Sequence, residues 1–266
     1  MIRVEHLTKT FGGVTAVDGA SLHLRKGAIT GLIGPNGAGK TTLFNVIAGA
    51  FPPDAGRVTL EGEDITGLPP HELFSRGVLR TFQIAHEFSS LTVRENLMAV
   101  PPNQSGERIW NAWIRPARIR EEERAVRARA DEVIEFLEIG HVADELAGNL
   151  SGGQKKLLEL GRTMMTEARM VFLDEVGAGV NRTLLNTIGD AILRLNRERG
   201  YTFCMIEHDM DFIGRLCDPV IVMAEGRVLV EGSAETVKSD ERVIEAYLGR
   251  GLKTRPPRKA AGEARP

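Results

Sequence analysis

The sequence predicts an α/β fold with a mostly parallel central sheet, an antiparallel β subdomain and an inserted α-helical subdomain. Apolar runs of strand length occur at 170–175 (MVFLDE), 202–209 (TFCMIEHD) and 219–226 (PVIVMAEG), and a helical stretch, TLLNTIGDAILRLNRER, separates the first two. Strands that alternate with helices favour parallel pairing in a layered sheet. A further apolar run, AITGLIG at 28–34, leads through a glycine-rich loop into the helical stretch KTTLFNVIAGA.

The N-terminal region has the pattern of antiparallel strands. IRVEHLTKTF and the segment near SLHLRKG alternate between apolar and polar residues, as half-buried strands do. FPPDAG interrupts the chain, and RVTLEGEDI resumes the strand pattern with a Glu-Gly turn. We expect these strands and the central sheet to form one core from residues 1–90 and 167–249.

Residues 91–166 instead have the apolar spacing of helices. LTVRENLMAV is one predicted helix, and a second follows because Val126, Ala130, Val133, Ile134 and Leu137 recur at helix spacing. The sequence therefore predicts an inserted helical subdomain. Residues 250–266 are basic, contain prolines and lack periodicity, so they are predicted to be a disordered tail.

Composition excludes several classes of function. The formal net charge of −2 over 266 residues argues against general nucleic-acid binding. No apolar run is long enough to span a membrane and no signal segment is evident, so we expect a cytoplasmic protein that reaches a membrane through a partner. Cys204 and Cys217 lack metal-ligand spacing, and Cys204 lies in an apolar run that predicts a buried thiol.

GPNGAGKT at residues 34–41 matches the pattern of a phosphate loop. Its glycines allow successive N–H groups to surround a phosphate, Lys40 reaches the β and γ oxygens, and the Thr41 hydroxyl holds Mg²⁺. The position between a predicted strand and a predicted helix strengthens this interpretation. We refer to residues 34–41 as the phosphate loop and predict a nucleotide site there.

Two acidic residues end the apolar run MVFLDE. In a nucleotide site, Asp174 would lie near Mg²⁺ and its water ligands, and Glu175 would be free to take a proton from attacking water. By itself, a strand followed by two acids is common and favours a solvated loop. The phosphate loop makes the catalytic interpretation the better one.

LSGGQ at residues 150–154, here called the signature segment, places a serine and two glycines before a predicted helix. Ser151 is a good N-cap, and the free N–H groups of a helix start suit an anion. Two glycines weaken a helix, so the backbone is expected to approach something closely. Taken alone, the segment would be interpreted as the start of a capped surface helix.

The combination and order of GPNGAGKT, RTFQ, LSGGQ, VFLDE and IEHD resembles the ABC-type ATPases over about residues 1–249. This resemblance implies a P-loop NTPase fold, ATP and Mg²⁺ as ligands, and a dimer in which each signature segment covers ATP held by the other chain. It also implies roles for individual residues. The adenine of ATP would stack on Phe11, and its phosphates would lie in the phosphate loop. The signature segment of the partner chain would cover the same ATP with residues equivalent to Ser151, Gly152, Gly153 and Gln154. The full set implied for ATP within one chain is Phe11, Gly34, Pro35, Asn36, Gly37, Ala38, Gly39, Lys40, Thr41 and Thr42.

The resemblance further implies that Glu175, His208, Gln83 and Lys40 are catalytic and that Thr41, Gln83 and Asp174 serve Mg²⁺, with Asp174 acting through water. Taken alone, Gln83 is a surface amide, His208 a structural histidine and Phe11 a core residue.

Two positions depart from the family pattern. Val176 stands where most members have proline, and Asn181 where many have aspartate. Asn181 leaves the communication between the two sites of a dimer in question.

Among ABC ATPases, the sequence resembles most the larger ATP-binding subunit of branched-chain amino-acid importers, through GPNGAGKTTLFNVI, RTFQ, LTVRENLMA, IEHDMDFI and AYLG. Importers of urea, amides or other small polar solutes, and soluble ABC ATPases outside transport, are the alternatives. The resemblance implies two transmembrane permease subunits, a second ATPase subunit that is identical or a paralogue, and an indirectly attached solute-binding protein. It places the chain at the cytoplasmic face of the membrane, with no nucleic acid as partner.

IAHEFSSLTVREN after Gln83 is the candidate permease contact, with Phe88 as an apolar anchor; an ordinary packed loop is the alternative. Trp110 and Trp113 either lie near the membrane or, as we expect, fill an apolar gap.

Overall fold

The computed structural model describes residues 1–81, 87–102, 104–107, 110, 113 and 116–248. Within these residues the strands are β1 (Ile2–Phe11), β2 (Val14–Leu24), β3 (Ile29–Ile33), β4 (Ala55–Leu60), β5 (Glu63–Asp64), β6 (Val78–Arg80), β7 (Met170–Asp174), β8 (Thr202–Ile206), β9 (Val220–Ala224) and β10 (Arg227–Gly232). The helices are α1 (Lys40–Ile47), α2 (Pro70–Ser75), α3 (Val93–Met98), α4 (Pro116–Phe136), α5 (Gly152–Met164), α6 (Arg182–Arg199), α7 (Met210–Leu216), α8 (Ala234–Ser239) and α9 (Glu241–Leu248).

The central sheet has the strand order β10-β9-β3-β8-β7-β6. Its pairs are parallel except for β10, which runs antiparallel to β9. Every residue of β3, β7 and β8 is buried, because helices or the second sheet cover both faces. The carboxyl ends of β3, β7 and β8 therefore lie side by side at one edge, where the polar motifs follow.

The second sheet is antiparallel, in the order β2-β1-β4-β5. The two-glycine turn after Phe11 joins β1 to β2, and the predicted Glu61-Gly62 turn joins β4 to β5. The predicted fold class, with a mostly parallel central sheet and an antiparallel segment, is confirmed. The short strand β6 and the helices α2, α7, α8 and α9 were not predicted, because each is too short to show periodicity.

The central sheet separates two apolar cores. In β7, Val171 and Leu173 point towards the core shared with α5 and α6, whereas Phe172 points towards the core shared with α1 and the antiparallel sheet. Phe172 meets Phe44 of α1 edge to face, with ring centroids 5.0 Å apart. This contact fixes the helix that follows the phosphate loop against the strand that ends in Asp174.

The helical segments follow from apolar spacing and capping. In α4 the buried residues are Ala130, Val133, Ile134 and Phe136, close to the predicted stripe. Helix α3 begins with a capping box in which Thr92 and Glu95 bond each other's backbone N–H groups. No described helix is both long enough and apolar enough to cross a membrane.

Candidate active site

The phosphate loop connects the buried strand β3 to helix α1. Lys40 is buried, and its ammonium donates to the carbonyl oxygens of Gly34 at 2.8 Å and Pro35 at 3.2 Å. Burial lowers the pKa of Lys40, and the nearby carboxylates of Glu175 and Asp174 oppose that shift. The loop thus surrounds one cation, and its counter-charges lie at the carboxyl end of β7, which β8 separates from β3.

Two loop glycines are required by the fold itself. Gly34 has φ 147° and Gly39 has φ 95°; added Cβ atoms would lie 2.1 Å from the Met223 carbonyl oxygen and 2.2 Å from the Ala16 carbonyl oxygen. No other residue fits such approaches. The remaining predicted contacts divide by exposure: Asn36, Gly37 and Thr41 are exposed, Pro35 and Thr42 are half-buried, and Ala38 is buried.

Tyr247 of α9 is a further neighbour of the phosphate loop. Burial raises the pKa of its hydroxyl, and a hydrogen bond with the backbone of Gly34 opposes that shift. The sequence carries no signal for this contact, because more than two hundred positions separate the two residues.

Asp174 ends β7 with only 4% of its surface exposed. Its Oδ2 accepts a hydrogen bond from the Arg80 guanidinium at 2.8 Å, and Arg80 also bonds Asn45 of α1. Arg80 was not predicted as a site residue, although it belongs to the quoted RTFQ motif. Its role could be found only from the pairing of β6 with β7, which places Arg80 opposite Phe172.

Glu175 begins the loop that we call the 175–181 loop. Its φ of 51° lies in the left-handed region, which is strained for a residue with a side chain. Its Oε1 lies 3.0 Å from His208 Nε2, and its backbone N–H donates to the Ile206 carbonyl at 3.0 Å. The two predicted residues, separated by 33 positions, are therefore side by side, and both are accessible to solvent.

The other end of the 175–181 loop starts α6. The Asn181 side chain caps this helix by accepting from the Leu184 N–H at 2.9 Å. Asparagine and aspartate are about equally good at this position, so the departure from the family pattern preserves the cap. Val176, the other departure, is buried in the apolar core.

The signature segment starts α5 as predicted. Ser151 and Gln154 form a capping box: Ser151 N–H donates to Gln154 Oε1 at 2.9 Å, and Gln154 N–H donates to Ser151 Oγ at 3.4 Å.

The two signature glycines have different surroundings. A Cβ at Gly153 would lie 1.9 Å from Leu184 Cδ2, whereas a Cβ at Gly152 would be 3.7 Å from its nearest neighbour, the Gly179 carbonyl oxygen. The close approach expected at this glycine pair is thus made, at Gly153, to helix α6 of the same chain. Gly152 and Ser151 remain exposed.

Phe11 lies at the end of β1 and is partly exposed, with an edge-to-face contact to Phe51 at 5.5 Å between centroids. The alternative of a core phenylalanine is wrong. Gln83 lies outside the described residues, so its predicted contact with Mg²⁺ or water stays a prediction.

The candidate permease contact is partly described. Phe88 is 51% exposed, and the buried side chain of Asn96 holds its backbone through bonds of 2.9 and 3.0 Å. Arg162 stacks over the Phe88 ring at 5.5 Å and also lines a cavity of about 270 Å³ with Phe74, Leu79 and Val100. This groove separates α2 and β6 from the helical segment.

Trp110 and Trp113 are 78% and 85% exposed. The expectation that they fill an apolar gap is therefore wrong. Burial was expected because large aromatic side chains commonly fill apolar gaps.

The chain is similar to known proteins in both sequence and fold. The family described as "ABC transporter" matches residues 17–178, and the family described as "Branched-chain amino acid ATP-binding cassette transporter" matches residues 227–253. A protein of Methanocaldococcus jannaschii called a probable branched-chain amino acid transport ATP-binding protein is 42% identical over 253 residues, covering 94% of this chain and 97% of that protein. One of the same description from Archaeoglobus fulgidus is 40% identical, covering 94% and 95%.

A solved ATP-binding cassette of an ABC transporter, in its ADP conformation, superposes with a TM-score of 0.80 at 40% identity, covering 94% of this chain and 98% of that one. A nucleotide-free cassette gives 0.79 at 40% identity, covering 92% and 98%. The chain belongs to the ABC transporter family, as an ATP-binding subunit that hydrolyses ATP.

Proposed function

We propose that this chain is the ATP-hydrolysing subunit of an importer for branched-chain amino acids. The observation that carries the proposal is the agreement of relatives over nearly the whole chain: proteins 33% to 42% identical are named for branched-chain amino acid transport. The match of residues 227–253 to the corresponding C-terminal family supports it, since that region lies outside the generic ATPase motifs.

The donor set at the phosphate loop fits ATP with Mg²⁺. Lys40 supplies a buried positive charge, Thr41 an exposed hydroxyl, and Asp174 a carboxylate with one oxygen engaged by Arg80. Hydroxyl and carboxylate oxygens suit Mg²⁺, and Asp174 is proposed to act through water. Gln83 is the further proposed ligand. When bound, Mg²⁺ supplies charge neutralisation at the β and γ phosphates.

Glu175 is proposed to orient or deprotonate the attacking water. Its carboxylate is accessible and lies within hydrogen-bond distance of His208, which can hold it in place and contact the γ-phosphate. The strained backbone at Glu175 supports this role, because strain of this kind clusters at functional sites.

The signature segment is proposed to act on ATP held by a second subunit, identical or paralogous. Ser151 and Gly152 are exposed at the N-terminus of α5, a 13-residue helix. Such a helix start supplies N–H donors and partial positive charge to a phosphate. Gln154 would contribute through its place in the capping box.

The groove beside Phe88 is proposed to receive a permease subunit. We propose the division into a core of residues 1–90 and 167–249 and a helical subdomain of residues 91–166, with the groove between them. Two permeases would then anchor the chain to the cytoplasmic face of the membrane, and the solute-binding protein would act from the other side.

The test is transport in proteoliposomes. The chain would be co-purified with the permease and ATPase subunits encoded beside it, supplied with the associated binding protein, and given radiolabelled leucine, urea or acetamide. ATP-dependent leucine uptake that is lost in Lys40→Ala is expected. Uptake of urea or acetamide but not of leucine would show that the importer carries one of those solutes and not branched-chain amino acids. Co-purification with ribosomes or DNA in place of permeases would overturn the proposal.

A further inference from the structure

Glu207 is a buried carboxylate that none of the roles above uses. It follows β8 directly and is 5% exposed. Its Oε1 accepts from the Gly177 backbone N–H at 2.7 Å, and its Oε2 accepts from the His208 backbone N–H at 3.2 Å. Burial raises the pKa of Glu207, and these two hydrogen bonds oppose the shift. Burying a carboxylate costs free energy unless hydrogen bonds compensate, so the hydrogen bonds of Glu207 indicate its role.

One of those contacts fastens the 175–181 loop to the end of β8. The Glu175 N–H donates to the Ile206 carbonyl at 3.0 Å, and the Gly177 N–H donates to the adjacent Glu207 side chain at 2.7 Å. The loop is thus attached at two successive points. The first is a backbone contact that any sequence could make, whereas the second depends on the Glu207 side chain.

Gly177 is confined on two sides. A Cβ there would lie 3.4 Å from Glu207 Oε1 and 3.4 Å from Leu185 Cδ1 of α6. Beyond it, a cavity of about 400 Å³ borders Glu175, Ala178 and Val180. The cavity leaves that side of the loop open, so the hydrogen bonds of Glu175 and Gly177 act together with the buried Val176 to fix its position.

The position of this loop determines the geometry of the proposed catalytic pair. Glu175 Oε1 and His208 Nε2 are 3.0 Å apart, and Glu175 holds a strained φ of 51° that its surroundings must maintain. Glu207 contacts the backbone two residues after Glu175 and also the backbone of His208 itself. A single side chain therefore connects both halves of the pair.

We propose that Glu207 is a positioning residue for hydrolysis, whose carboxylate holds the 175–181 loop against the end of β8 and so fixes Glu175 and His208 relative to each other. Glu207 does not touch the reacting atoms. The inference rests on the proposed roles of Glu175 and His208.

The first experiment compares Glu207→Ala with Asp209→Ala. Asp209 also accepts two backbone hydrogen bonds, from Asp211 and Phe212, but it caps α7 and makes no hydrogen bond to the 175–181 loop. Each variant therefore removes one carboxylate that accepts two backbone hydrogen bonds, and the two positions lie two residues apart. In Glu207→Ala, kcat should fall about tenfold or more, because small misplacements of catalytic groups are costly, while KM for ATP changes little. Asp209→Ala should keep kcat within a factor of about two after correction for the folded fraction.

The second measurement is amide hydrogen exchange of the segment that contains Gly177. Glu207→Ala should speed exchange there and leave the buried strands β7 and β8 protected, whereas Asp209→Ala should not. Glu207→Gln retains an oxygen that can accept from Gly177 and should restore part of kcat. This variant also serves as the test if Glu207→Ala does not fold.

Equal losses of kcat in Glu207→Ala and Asp209→Ala, with unchanged exchange at Gly177, would overturn the positioning role. Glu175→Gln separates this failure from that of the proposed site. If Glu175→Gln is inactive while the Glu207 and Asp209 variants match, only the inference fails; if Glu175→Gln is fully active, the proposed catalytic pair fails with it.

Discussion

Arg80 and Asp174 form a buried ion pair at the centre of the site. Their side chains are 13% and 4% exposed, and the Arg80 Nε has no hydrogen-bond partner among the described residues. Removing one member of such a pair leaves the other charge buried without compensation. We therefore expect that removing either partner alone lowers the stability of the protein more than removing both charges together.

Arg80→Met should therefore lower the free energy of unfolding by about 3 kcal/mol, measured by urea denaturation. The double variant Arg80→Met/Asp174→Asn removes both charges and should be more stable than the sum of the single losses predicts. A loss below about 0.5 kcal/mol for Arg80→Met, the size expected for an exposed site, would contradict the buried-pair interpretation.

Glu207 should give the stability of the protein a measurable pH dependence. Burial raises its pKa above the ordinary value of 4.5, so the native state binds this proton more tightly than the unfolded chain does. The contribution to stability is full below pH 4.5 and decreases as pH rises to the native pKa. In Glu207→Gln this component is absent.

The free energy of unfolding of Glu207→Gln minus that of the wild type should therefore increase with pH across that window. Denaturation series at several pH values measure the difference. Glu121→Gln on the exposed surface of α4 is the control. A Glu207→Gln difference that falls with rising pH would have the wrong sign.

Glu175 is the residue on which the proposed chemistry depends. Glu175→Gln keeps the shape of the side chain but removes its ability to take a proton. ATP hydrolysis should be lost while ATP binding persists, and the dimer should accumulate in its closed form with ATP, as size-exclusion chromatography would detect. Full activity of this variant would remove Glu175 from the role.

At the scale of elements, α5 and α6 touch through Gly153. Gly153→Ala should lower the free energy of unfolding by about 1–3 kcal/mol, because its Cβ would overlap Leu184. Gly152→Ala, one residue earlier and with space for a Cβ, is the matched control for folding. It should keep the stability but lower ATP hydrolysis, since it would crowd the proposed contact with a partner's phosphate. Equal stability of the two variants would exclude the packing explanation.

The same element shows which parts of the fold could be predicted from sequence. The Ser151 cap and the start of α5 follow from local chemistry within four residues, so LSGGQ was sufficient to predict them. That Gly153 contacts Leu184 depends on how two helices pack, which no local pattern encodes. The apolar run MVFLD likewise predicts β7. The strand β6 has only three residues, so it is recognised only from its pairing with β7.

The site divides in the same way. The phosphate loop, Asp174 and Glu175 belong to contiguous motifs, and the family resemblance added His208. Arg80, Glu207 and Tyr247 support that site through contacts between distant segments, and they were missed because a strand register or a loop approach decides each one.

For the whole molecule, the exposed signature segment predicts that activity depends on a second chain. With the chain alone, ATP turnover per molecule should rise with protein concentration as dimers form, and Ser151→Ala should reduce it at every concentration. Ser233→Ala is the control, because Ser233 caps α8 in the same way and its loss should cost similar stability, about 1 kcal/mol, without reducing turnover. Turnover that is constant in the strictly monomeric range and unaffected by Ser151→Ala would show that each chain completes its own site.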